Sequence, residues 1–210
     1  MHTIYLIAIV AEAISGAIMG MKRKMDLFGI GVVGTVTALG GGSVRDVLLG
    51  TRPLAWIAHP EYLMLTLVAA LCTPLFARHL HHLRAVFLAV DALGLVAFTI
   101  IGCKVALAGQ FPLAIAVMAG LITGVCGGLL RDIICNEIPL VLRRELYACV
   151  ALLTAVLYLG LLELRMAPAS ATGVALGCGF ALRLLAIRFH WGLPVIRADN
   201  LRGFDEPDRD

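Results

Sequence analysis

Charge is scarce in this chain: only 15% of its 210 residues are charged, against 60% hydrophobic, and the mean hydropathy is +0.95. A water-soluble surface needs far more charge than that, so the solvent for most of the chain is lipid. The net charge of +3 does not point to nucleic acid, because the basic residues lie singly or in short groups between apolar runs, with no basic face. The cysteines (Cys72, Cys103, Cys126, Cys135, Cys149, Cys178) form no C-x-x-C pair and no Cys/His ligand spacing. That argues against a structural zinc or a disulfide framework and for reduced, buried thiols that pack as small apolar groups. No nucleophile–base set or metal-ligand cluster stands out, so enzyme chemistry, a cofactor and a resident metal are not expected. His79, His81 and His82 read as a solvated loop at head-group level in preference to a metal site.

What the chain does have is apolar runs. The first, about Thr3 to Met21, has no basic residue before it and a basic cluster after it, the flanks of a retained anchor and not of a cleaved signal. Six more follow: about Leu27 to Leu49, Pro60 to Phe76, Ala85 to Leu107, Phe111 to Cys135, Glu145 to Leu162 and Ala171 to Ile187. These predict seven membrane helices in a single membrane domain over 1–196, with a polar tail over 197–210. With the N-terminus outside, 13 of the Lys and Arg side chains fall on or near the cytoplasmic side and four, Arg45, Arg52, Lys104 and Arg165, outside. The positive-inside rule therefore places the N-terminus outside and the C-terminus in the cytoplasm.

An internal duplication organises the domain. At an offset of 86 residues, Gly34, Thr37, Gly41, Gly42, Arg45, Asp46, Pro53 and Leu54 fall on Gly120, Thr123, Gly127, Gly128, Arg131, Asp132, Pro139 and Leu140 without a gap, and Gly16 falls on Gly102. The repeats are assigned to about 3–78 and about 85–163, with an extra helix at about 170–189. Each repeat carries three spans, an odd number, so the second enters the membrane from the opposite side. The expected fold is all-α: two inverted three-helix repeats plus one helix, the second and fifth spans meeting at a pseudo-two-fold axis.

Those middle spans carry glycine where Leu or Val is usual: Gly40, Gly41 and Gly42 in one, Gly124, Gly127 and Gly128 in the other. Each interior glycine costs a helix about 1 kcal/mol relative to alanine, so the clusters predict helix breaks whose freed backbone groups line a pathway. Ser43 and Asp46 resemble a capping box that restarts the first helix, whereas Leu129 occupies the equivalent place in the second repeat. The competing reading is that these glycines only let helices pack closely, the role expected of Gly16-x-x-x-Gly20 and Gly173-x-x-x-Gly177.

Glu12, Arg45, Asp46, Asp91, Arg131 and Asp132 are ionisable groups inside spans, each costing about 2.5 to 3.5 kcal/mol at a helix centre unless it faces a partner or water. Two roles stand for them: pairing that holds the repeats together, and contact with a solute, with Glu12 and Asp91 attracting a cation. Asp91 has a further option, snorkelling to the interface, and Arg183 is expected to snorkel at the end of the last helix.

The strings Gly40-Gly-Gly-Ser-Val-Arg-Asp-Val-Leu-Leu-Gly50 and Gly127-Gly-Leu-Leu-Arg-Asp132, with Ile138-Pro139 and Glu145-Leu-Tyr147 after them, resemble the bacterial inner-membrane family often called glycine transporters, similar in turn to prokaryotic trimeric intracellular cation (TRIC) channels. The resemblance spans about residues 3–195 and implies a three-plus-three-plus-one helix order, kinks at the glycine clusters, and a homotrimer with one pathway per protomer. Two departures stand out. Cys126 occupies the place of Gly40, and the basic lipid-binding motif of the animal channels is not evident, so phosphoinositide regulation is not carried over. A channel for a monovalent cation, potassium first, is the leading expectation, with uptake of glycine or another small amino acid as the alternative.

Overall fold

The computed structural model describes residues 2–77, 83–142 and 146–192, and among these every regular element is helical. The helices are α1 (His2–Lys22), α2 (Leu27–Leu48), α3 (Ala55–Ala58), α4 (Pro60–Ala77), α5 (Leu83–Ala108), α6 (Leu113–Ile134), α7 (Tyr147–Glu163) and α8 (Pro168–Arg188), with a 3₁₀ turn at Leu140–Leu142. Six of them are long and apolar enough to cross a membrane, and α7, of 17 residues, is a shorter apolar helix, which together make the seven expected spans. The short α3 is an addition to the expected order. The histidine loop, Arg143, Arg144 and the tail from Arg197 lie outside the described residues.

The two repeats fold alike down to single hydrogen bonds. α1 ends where Met25 N bonds back to Gly20 O, with Lys24 in the left-handed region at φ 56°; α5 ends where Phe111 N bonds to Ala106 O, with Gln110 at φ 59°. α2 ends on Gly50 at φ +68° and α6 on Asn136 at φ 49°, each 86 residues from its counterpart. After these turns Asp46 Oδ2 accepts from Ala55 N (3.1 Å) and Asp132 Oδ2 from Leu140 N (2.8 Å), fixing the loop that leads to the third helix of each repeat. At its other end α2 is capped by Asp26, which accepts from Gly29 N at 2.8 Å.

Within each repeat the first two helices pack through small residues. A Cβ added to Gly16 would meet Gly34 Cα at 2.7 Å and Val33 O at 2.8 Å, and one added to Gly102 would meet Gly120 Cα at 2.8 Å and Ala119 O at 2.5 Å. Gly16 thus packs closely, as expected. Within the protomer Gly173 and Gly177 are exposed and face no neighbouring helix, and Gly179, against Thr154 and Val96, is where α8 approaches closely. α8 lies outside the duplication and packs on α5 and α7. The repeats join through α2 against α6 and α1 against α5.

Candidate functional site

At the centre, α2 crosses α6 with reciprocal contacts. The hydrogen face of Gly41 lies on the Thr123 carbonyl, and that of Gly127 lies on the Thr37 carbonyl. Thr37 and Thr123 are themselves 86 residues apart, so this crossing marks the pseudo-two-fold axis. α2 and α6 run unbroken through these glycines, which overturns the expected helix breaks at Gly40, Gly41, Gly42, Gly124, Gly127 and Gly128. The capping box is absent as well: Ser43 Oγ donates to Leu39 O (2.8 Å) and accepts from Trp56 Nε1 (3.1 Å), while Asp46 binds Arg45. The physical reason is packing. The helical hydrogen bonds stay intact, and the missing side chains at Gly41 and Gly127 are used for backbone approach. Gly124 likewise packs on Leu95 O and Thr99 of α5, while Gly40 faces Leu130.

The charged residues collect beside this crossing. Arg131, fully buried on α6, donates from Nε to Asp132 Oδ1 (2.8 Å) and from Nη1 to Ser15 Oγ on α1 (2.7 Å) and Asp91 Oδ1 on α5 (2.5 Å). Its guanidinium stands 4.7 Å from the Phe87 ring centroid. Asp91 is therefore paired and buried, not snorkelling. In the first repeat, among the described residues, Arg45 binds its neighbour Asp46, through Nε (2.9 Å) and Nη2 (2.6 Å). The counterpart of Asp91 there is Tyr5, which packs against Tyr62 and Phe98 with centroids 4.7 and 6.1 Å away. The scaffold is symmetric and its polar content is not.

Glu12, 2% exposed, reaches from α1 to α5, where its carboxylate fills the space a side chain at Gly94 would take. It lies within electrostatic reach of Asp91, Arg131 and Asp132. Tyr147, at the start of α7, brings its hydroxyl to Gly128: a Cβ there would lie 3.1 Å from that hydroxyl, 3.6 Å from Arg131 Nη2 and 3.8 Å from Asp91 Oδ1. Among the described residues, Glu12 Oε2, Asp91 Oδ2, Arg131 Nη2 and the Tyr147 hydroxyl have no hydrogen-bond partner. Two acceptors and two donors thus share one buried site, each uncompensated polar group costing about 1–3 kcal/mol if left dry.

Arg183 is not the snorkelling residue expected. It is fully buried, with its guanidinium 4.7 Å above the Tyr147 ring. A cleft of about 320 Å³ is lined by Lys22, Arg84, Glu137, apolar neighbours, and Phe87 and Asp132, which both touch Arg131. Its rim is tied across the repeats by Lys22 Nζ to Glu137 (2.7 Å) and Arg23 to Asn136 O (2.7 Å). Ser15, Gly94, Tyr147 and Arg183 are site residues that sequence reasoning did not single out as such. Spacing held some signal, since Ser15 lies three residues after Glu12 and Gly94 three after Asp91, one helical turn in each case.

Inverted three-helix repeats crossing at glycines, with buried charges alongside, define a membrane channel or transporter. The chain belongs to the glycine transporter family, whose model matches residues 2–78 and again 88–163, the two repeats in register. It is 38% identical over 184 residues to a UPF0126 membrane protein of Vibrio cholerae, covering 87% of this chain and 77% of the relative. It is 36% identical over 189 residues to the UPF0126 inner membrane protein YadS of Escherichia coli, covering 89% and 91%. In three dimensions it resembles the TRIC trimeric intracellular cation channel orthologue from Rhodobacter sphaeroides, with TM-score 0.86, 31% identity and coverage of 90% and 97%.

Proposed function

We propose that the protein conducts a monovalent cation, potassium first, across the bacterial inner membrane as a homotrimer with one pathway per protomer. The observation that carries this reading is the match of the whole three-plus-three-plus-one architecture to a solved TRIC cation channel. The pathway follows the seam of α1, α5 and α6, reached through the cleft at Lys22 and Arg84, where Glu12 Oε2 and Asp91 Oδ2 supply acidic oxygens without protein partners. Gly41 and Gly127 press on each other's helices, so they set the spacing of the seam and leave no room between them for an ion. In this reading the N-terminus lies outside, which the distribution of Lys and Arg favours.

A second reading, uptake of glycine, is favoured by the mixed site. A zwitterion's carboxylate suits Arg131 Nη2 and the Tyr147 hydroxyl, and its ammonium suits Glu12 and Asp91. Purified protein in liposomes separates the two when potassium flux and labelled glycine uptake are measured side by side. Flux that rises linearly with the potassium gradient supports the channel. Saturable glycine uptake without potassium flux overturns it in favour of the carrier.

A further inference from the structure

We infer that α8, the helix outside the duplication, serves the buried site: Arg183 is a positioning residue that holds the ring of Tyr147 so that its hydroxyl faces the passing solute beside Arg131 and Asp91. The inference rests on the reading that this seam is the pathway, under either solute. Three observations converge on it. Arg183 and Tyr147 are among the largest fully buried side chains, and the guanidinium sits 4.7 Å over the ring. The hydroxyl of that ring reaches Gly128, where it lies 3.1 Å from the position of a Cβ and has no hydrogen-bond partner among the described residues. A buried hydroxyl without a partner weakens a fold, so a role outside the resting protein explains its presence.

The arrangement belongs to one half only. Beyond the loop the repeats are offset by 85, as the bonds of Ala55 and Leu140 are, which sets Tyr62 opposite Tyr147, but no described helix stands to the first repeat as α8 with Arg183 stands to the second. A buried arginine on an added helix also has a plain structural explanation, as a peg that attaches α8 to α5 and α7. The two roles differ in what Tyr147→Phe does. That change keeps the ring under Arg183 and removes only the hydroxyl.

The test uses full-length protein in liposomes and follows whichever of potassium or glycine the wild type carries. Tyr147→Phe is expected to lower flux about tenfold while its melting temperature stays level or rises. Arg183→Met is expected to lower flux similarly, Arg183→Lys to do so while retaining the charge, and the Tyr147→Phe/Arg183→Met double variant to fall no further than either single one. Wild-type flux in Tyr147→Phe, or a double variant whose loss is the product of the single losses, would overturn the inference. If Arg183→Met does not assemble, Arg183→Lys alone decides the same comparison. If wild-type vesicles carry neither solute, the proposed function fails, and melting decides the contact. Arg183→Met should then lower the melting temperature of the wild type and not of Tyr147→Leu, and additive shifts would refute the pairing.

Discussion

The three adjacent glycines of α2 provide a graded test of what the central crossing does, because each would place a new methyl group in a different setting. At Gly41 an alanine Cβ lands on the Thr123 carbonyl and 3.0 Å from Gly127 N, backbone atoms that cannot swing aside. At Gly40 it meets Leu130 Cδ1 at 2.7 Å, the far end of a side chain that can rotate. At Gly42 the nearest atom is Arg45 Nη2 at 3.8 Å, an ordinary contact. Replacing glycine by alanine inside a helix gains about 1 kcal/mol, and overpacking against rigid neighbours costs about 1–3 kcal/mol. Gly41→Ala meets backbone and takes the upper end, a net loss of about 2 kcal/mol, or about 4–8 °C in melting temperature for a chain of this size. Gly42→Ala keeps the gain and should melt about 2–4 °C higher, with Gly40→Ala in between.

The assay is thermal melting of the detergent-purified protein, read beside flux on the same preparation. Equal melting of Gly41→Ala and Gly42→Ala would refute the packing argument. A well-assembled, wild-type-stable Gly41→Ala protein that no longer conducts would restore the constriction that unbroken helices argue against.

Further outcomes follow from the charged cluster. Gly94→Ala drives a methyl group into the Glu12 carboxylate; stability and flux should both fall, and adding Glu12→Ala should restore stability alone, which paired melting and flux measurements check. Asp91→Ala removes one partner of a buried ion pair and should cost about 3–5 kcal/mol in chemical denaturation, whereas Tyr5→Phe, its counterpart in the first repeat, should cost under about 1 kcal/mol. A reporter fused after Asp210 should be silent in the periplasm; activity confined to that side would overturn the assigned orientation.

The duplication was legible because the repeats align without a gap, and the fold keeps that alignment down to Lys24 with Gln110 and Gly50 with Asn136. The role of its glycines was not legible. Glycine both loosens a helix and lets another backbone approach, and only the partner decides between them. For Gly41 that partner is the carbonyl of Thr123, on a helix of the other repeat, and no local pattern announces it. Arg183 was misplaced for a related reason. Five residues of α8 follow it, so its side chain starts more than a turn inside the helix, and the Tyr147 ring that covers it belongs to α7. Asp91 was given three options, and the pairing was settled by Arg131 40 residues away.

Inverted repeats invite the idea that the two ends of a pathway open by the same motion in turn, but that exchange requires the ends to resist opening equally. They do not. Arg131 binds α1 through Ser15 and α5 through Asp91, so parting α6 from either helix breaks a buried charged hydrogen bond. Among the described residues Arg45 is bonded to Asp46 on its own helix, and the place of Asp91 is taken by Tyr5, which packs on Tyr62. That pair joins α1 to α4, so among the described residues separating α2 from α1 parts close contacts such as Gly16 on Gly34 and Gly20 on Ile30. One end of the seam is latched across three helices through Arg131, whereas Arg45 at the other end pairs within its own helix, and α8 runs along both ends, from Lys104 Nζ on Thr172 Oγ1 (2.7 Å) to Arg183 over Tyr147. Two states related by swapping the repeats would then differ by the worth of that latch, which works against a rocking carrier whose states must be close in energy. Under the proposed function, this asymmetry between Arg131 and Arg45, more than the duplication itself, favours a gated channel over a rocking carrier.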